Sequence, residues 1–130
     1  MSTPRSLLIV EDDRDSCEML LMVIQKLFPD MVAHCAGNGI AGWQLFQEYL
    51  PEIVITDLNM PEMDGLQMAQ LIRSHKPDTK LVAISADIER ATQEESVAEG
   101  RIFDCYIVKP FKFSALTAAI EGIVPFANES

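Results

Sequence analysis

Leu7-Leu8-Ile9-Val10-Glu11-Asp12-Asp13 is the stretch that decides the fold: four apolar residues in succession, then three acids. A short, unbroken apolar run suits a parallel strand covered on both faces, whereas a strand with one wet face alternates. Ile53-Val54-Ile55-Thr56-Asp57 and Leu81-Val82-Ala83-Ile84-Ser85 repeat the pattern, and Tyr106-Ile107-Val108-Lys109 repeats it in shorter form. Residues 31–35 are patchier and suit an edge. Strands are therefore expected over 7–10, 31–35, 53–56, 81–84 and 106–108.

Helical spacing fills the intervals. Asp15-Ser16-Cys17-Glu18 has the form of a capping box, and Leu20, Val23, Ile24 and Leu27 follow it up to Pro29. Asn38 can cap a second helix with Gly42, Leu45, Phe46 and Tyr49 on one face, stopped by Pro51. A third carries Met68, Ala69 and Ile72 and ends before Pro77. A polar fourth is expected over 88–99, closing on Gly100, and an Ala-rich fifth over 114–123. Five β-α units imply an α/β fold: a three-layer, doubly wound, five-stranded parallel sheet, flavodoxin-like, in the order 2-1-3-4-5.

A chain of 130 residues has room for one such domain, and its hydrophobic fraction of 48% supports a packed core. The formal charge of −10 opposes direct binding to nucleic acid or to an anionic membrane surface. No apolar run reaches the roughly 20 residues of a membrane span. The first residues lead straight into a strand without the apolar core of a signal peptide, so a cytoplasmic protein is the default expectation. Cys17, Cys35 and Cys105 are odd in number and lack metal-site or redox spacing. Three reduced thiols packed as small hydrophobes are expected.

In doubly wound sheets the site lies at the carboxyl ends of the strands where the chain order reverses. Glu11 and Asp12 end the first strand and Asp57 the third, so these acids should converge. Like charges that close raise one another's pKa, and a cation relieves them. An all-oxygen donor set suits Mg2+. Lys109, in Lys109-Pro110-Phe111, ends the fifth strand, where its ammonium can pair with Asp57 or with a phosphoryl oxygen. A cis bond before Pro110 would help to aim it. The Ser85 hydroxyl can donate to an anionic oxygen or cap a helix. Pro61 and Gly65 read as turn residues, and the carbonyl of Asn59 can supply a metal ligand.

Taken in order, these pieces resemble the response-regulator receiver domain of two-component signalling. The likeness covers residues 5–124, with 125–130 as a tail or linker stub. It rests on the acidic cluster, on Asp57-Leu58-Asn59-Met60-Pro61-Glu62-Met63-Asp64-Gly65, on Ser85-Ala86, and on Lys109-Pro110-Phe111. It implies that Asp57 is the phosphoacceptor and that Glu11, Asp12, Asp57 and the Asn59 carbonyl hold Mg2+. It implies that Ser85 and Lys109 contact the phosphoryl group, and that Tyr106 joins Ser85 as a switch. Asn59 and Asp87 would tune the lifetime of the acyl phosphate. A sensor histidine kinase or histidine phosphotransfer protein would be the donor, and a downstream effector or output domain the reader. The chain would be either a stand-alone regulator or an excised receiver.

Two intervals depart from the family pattern: 57–85 is slightly short and 100–109 slightly long. Among rivals, a haloacid-dehalogenase-type phosphatase would need Asp-x-Asp after the first strand, and an FMN carrier a phosphate loop where Glu11-Asp12-Asp13 stands. A degenerate receiver acting only as a docking module is the remaining alternative.

Overall fold

The computed structural model describes residues 6–58, 65–86 and 102–123. Five parallel strands, β1 (Ser6–Val10), β2 (Val32–Ala36), β3 (Ile53–Asp57), β4 (Lys80–Ser85) and β5 (Cys105–Val108), form one sheet in the order β2-β1-β3-β4-β5. Among the described residues four helices accompany them: α1 (Arg14–Leu27), α2 (Gly39–Tyr49), α3 (Gly65–His75) and α4 (Phe113–Ile123). The helix expected over 88–99, together with Asn59, Pro61, Asp87, Gly100 and the expected tail 125–130, lies outside the described residues.

Alternation along the apolar runs divides the core into two layers. Leu7, Ile9, Ile53, Ile55, Val82, Ile84 and Ile107 face Leu20 and Ile24 of α1 and Leu116 and Ile120 of α4. Leu8, Val10, Val54, Leu81 and Ala83 face Phe46 of α2 and Met68, Ala69 and Ile72 of α3. Helices on both faces explain why β1, β3 and β4 are apolar on both sides. At the edge, β2 has Val32 exposed and its middle half-buried, as its patchier composition predicts.

Local detail corrects several expectations. Asp13, not Asp15, caps α1: its carboxylate accepts the Asp15 N–H at 3.1 Å. The capping-box reading fails because the first acid able to turn back onto the helix comes two residues earlier. Leu27 is exposed on the outer side of α1, and Tyr49 is exposed and stacked on His34 with ring centroids 4.1 Å apart. Helical spacing placed both inward, but each sits in the last turn of its helix and is left exposed, Tyr49 over the edge strand. Asn38 caps α2 as expected, its side chain accepting the Ala41 N–H at 2.7 Å.

The cysteine expectation is also overturned in part. Cys17 and Cys35 are joined as a disulfide with their Cα atoms 6.3 Å apart, and Cys105 is free. The reason is topological. Cys35 lies beside Ile9 in the sheet, α1 packs over that same face, and nothing in the linear spacing of 18 residues shows it.

At the amino ends of β4 and β5, Arg73 of α3 donates to the carbonyls of Pro77 and Thr79, both at 2.8 Å, to the Ile102 carbonyl, and to Asp104 at 3.2 Å. Asp104 in turn accepts the Leu81 N–H at 2.9 Å.

Candidate functional site

Register and alternation bring the predicted acids together. Val10 pairs with Thr56 and Asp57 with Ile84, so Glu11 and Asp57 follow side by side at the carboxyl ends of neighbouring strands. Counting in twos from Ile9, Ile55 and Ile107, the positions Glu11, Asp57 and Lys109 fall on one face of the sheet. Their side chains do converge there. Carboxylate oxygens of Glu11, Asp12 and Asp57 lie within 4.8 Å of one another, with Glu11 and Asp57 buried and Asp12 exposed. Lys109 Nζ donates to Asp57 Oδ2 at 2.7 Å and stands 4.0 Å from Glu11 Oε1.

Among the described residues, three carboxylates therefore face one ammonium. Burial pushes the Glu11 pKa up from its ordinary value, and the charge of Asp57 adds to the rise. Against this, Glu11 accepts the Asp13 N–H at 3.1 Å and feels Lys109. For Lys109, burial opposes the ammonium, but its hydrogen bond to Asp57 and the charges of Asp57, Glu11 and Asp12 outweigh that, and its pKa is raised. An excess of hard oxygen donors, open to solvent on the Asp12 side, fits a divalent cation such as Mg2+.

Because the cluster is already over-supplied with negative charge, Lys109→Met is expected to destabilise the metal-free protein by about 1–3 kcal/mol. Urea denaturation in chelator would check this, and a midpoint equal to that of the parent would show that the pair contributes nothing.

Backbone contacts hold Asp57 in place. The Thr56 hydroxyl donates to the Asp57 carbonyl at 2.9 Å, and Leu58 N–H donates to the Ile84 carbonyl at 3.1 Å. Gly65 opens α3 directly against this segment. A Cβ there would meet the Asp57 carbonyl oxygen, with Leu58 Cα and the Thr56 hydroxyl at 3.0 Å. Sequence reading treated Gly65 as a turn residue and passed over Thr56. The Asp64-Gly65 pair, seven and eight residues after Asp57, is a visible signal, but only the fold shows what the missing side chain makes room for.

Ser85 is buried at the carboxyl end of β4, and its carbonyl accepts the Lys109 N–H at 3.0 Å. Val108 pairs with Ser85, and Ala83 with Tyr106. Ser85 and Tyr106 consequently fall on the same side of neighbouring strands, with Tyr106 half-buried and edge-on to Phe103 at 5.7 Å. The Lys109–Pro110 peptide is cis.

A family model described as the response regulator receiver domain matches residues 7–121. The probable C4-dicarboxylate response regulator DctR of Priestia megaterium is 33% identical over 116 residues, covering 89% of this chain and 50% of that protein. The transcriptional regulatory protein SrrA of Staphylococcus aureus is 34% identical over 118 residues, covering 91% of this chain and 47% of that protein. Among solved structures, the response regulator protein TrrA of Thermotoga maritima in complex with Mg(2+)-BeF superposes with a TM-score of 0.81 at 27% identity, covering 92% of this chain and 99% of that one. The chain spans about half the length of these two curated relatives.

Proposed function

Because this chain belongs to the response regulator receiver domain family, we propose that it takes a phosphoryl group onto Asp57 and signals through the resulting change at the carboxyl rim of the sheet. The observation that carries this reading is the buried Asp57 carboxylate, bonded to Lys109 at 2.7 Å and flanked by Glu11 and Asp12.

In this reading a carboxylate oxygen of Asp57 attacks the phosphorus of a phosphohistidine on a sensor kinase or phosphotransfer protein. The P–N bond breaks, its electron pair leaves with the imidazole, and an acyl phosphate remains. An anion approaching an anion needs fixed positive charge and orientation more than proton transfer. Lys109 supplies the charge. Bound by Asp12, Asp57, Glu11 and the carbonyl of Asn59, Mg2+ would supply further neutralisation of the phosphoryl oxygens. Asn59 and Asp87 are proposed to tune hydrolysis of the product. The setting is cytoplasmic, and the reader is an effector or an output domain.

Ser85 then donates to the phosphoryl oxygens from the adjacent strand and withdraws from the space beside β5, into which Tyr106 turns. One charge-assisted hydrogen bond is worth roughly 1.5–3 kcal/mol. That moves a two-state equilibrium on the order of 10–100-fold.

Incubation with acetyl phosphate and Mg2+ tests the reading. Intact mass should show a single phosphoryl adduct that hydroxylamine removes. NMR signals of Ser85 and Tyr106 should shift together as it forms. Absence of any adduct would leave the docking-module alternative, and an adduct with Tyr106 unmoved would discard the switch alone.

A further inference from the structure

We propose that Cys17 and Cys35 form a reversible thiol–disulfide exchange site whose oxidation state sets how firmly the Glu11–Asp12 loop is held. The pair stands where it can do this. Cys17 lies in the first turn of α1 and is buried, while Cys35 is the next-to-last residue of the edge strand β2 and is half-buried. Their disulfide joins α1, which follows the acid loop, to β2, the strand paired with β1 beside it. Glu11 N–H donates to the carbonyl of Ala36, the neighbour of Cys35, at 3.0 Å, and Cys17 N–H donates to the Asp13 carbonyl at 2.9 Å. The loop is thus tethered at its start to one cysteine's neighbour and at its end to the other cysteine. With the sulfurs bonded, the ring of contacts around Glu11, Asp12 and Asp13 is closed.

Access supports exchange rather than a purely structural bond. A cleft of about 360 Å3 is lined by both cysteines together with Glu11, Asp12, Arg14 and Glu18. The same cleft therefore borders both cysteines and the acids. Cys35, on an edge strand and half-buried where Cys17 is buried, is the sulfur proposed to be attacked, with Cys17 as the leaving group.

The reagent class is a dithiol reductant in one direction and a small-molecule disulfide in the other. For reduction, one thiolate of the dithiol attacks Cys35 Sγ, the Cys17–Cys35 bond breaks, and Cys17 leaves as a thiolate that takes up a proton. The second thiolate of the reagent then attacks its own sulfur in the mixed disulfide. Cys35 is released as a thiol and the reagent departs as a cyclic disulfide, so two electrons pass to the protein. Oxidation by a small-molecule disulfide runs through a mixed disulfide that the other cysteine resolves, with two thiols released.

The redox step stands on the cysteines alone, whereas its effect on a cation rests on the proposed Mg2+ site. The full chain would be equilibrated in defined ratios of reduced and oxidised dithiothreitol, quenched with an alkylating agent and weighed. Two alkyl groups should appear or vanish together, reversibly, while Cys105 labels throughout. Failure of the pair to form at any ratio, or to open without denaturant, would overturn the site.

Amide spectra of the two forms should differ at residues 11–14. The oxidised form should bind Mg2+ about five-fold or more tightly, read by calorimetry. Identical spectra over that loop would overturn the coupling even if the bond titrates. Equal Mg2+ affinities in both forms would overturn its effect on the cation. Should Mg2+ bind neither form, the phosphoacceptor reading fails, and the cation effect fails with it, while the alkylation result stands. Cys35→Ser should abolish the response to dithiothreitol, and Cys17→Ala, which leaves no buried hydroxyl, should do the same.

Discussion

Asp57→Asn is expected to lose the phosphoryl adduct by at least about 100-fold, and yet to be more stable than the parent in metal-free buffer. The two effects have one cause. The carboxamide keeps the shape of the side chain and can still accept from Lys109, but it carries no charge with which to attack phosphorus. Removing that charge also relieves a cluster in which three carboxylates share one ammonium. Loss of a partner from a buried ion pair often costs about 3–5 kcal/mol, because the survivor is left uncompensated. Here the survivor is Lys109, about one-third exposed and still 4.0 Å from Glu11, so that penalty is small and relief of repulsion prevails. A gain of about 1 kcal/mol is expected. Intact mass after acetyl phosphate treatment and urea denaturation in chelator measure the two halves. A fully labelled variant would move the acceptor elsewhere, and a large loss of stability would mean that the Lys109 pair outweighs the repulsion.

Gly65→Ala should damage both stability and phosphorylation without touching any charged group. Alanine is the better helix former by up to about 1 kcal/mol, so propensity alone favours the change. Packing opposes it more strongly. The new methyl would collide with the Asp57 carbonyl oxygen and press on Leu58 Cα and the Thr56 hydroxyl. Two of these three are backbone atoms that cannot rotate away. Overpacking of this kind costs about 1–3 kcal/mol, and displacing a reacting group by about 1 Å can cost on the order of 100-fold in rate. Gly37→Ala is the control, since a Cβ there meets nothing within 4 Å, and it should leave the labelling rate unchanged. Equal labelling rates for Gly65→Ala and the parent would show that α3 yields instead of β3.

Much of this site is legible in the sequence, and the reason is periodicity. Parallel strands buried on both faces announce themselves as unbroken apolar runs, so the residue that follows each run is placed at the rim almost automatically. Glu11, Asp57, Ser85 and Lys109 all follow or close such runs. What escaped depends on distances that no linear spacing encodes. The cap at Asp13 turned on which acid faces the helix. The bond between Cys17 and Cys35 turned on α1 lying over β2. The importance of Gly65 turned on an atom it lacks. Tyr49 shows the opposite failure, where a helical face was extrapolated into a last turn that lies over the edge strand and stays exposed.

Arg73 has a mechanical consequence. Its guanidinium fastens the amino ends of β4 and β5 to the last turn of α3, drawing on three carbonyls and one carboxylate. Ser85 and Lys109 sit at the far ends of the same two strands. These strands are like the tines of a fork gripped at the stem. A push at the rim is resisted at the stem by this clamp, and along the strands by the ladder that pairs β4 with β3 and β5 as far as Ile84 and Ser85. Any displacement of a side chain at the rim is therefore expected to fade along the strands toward the clamp.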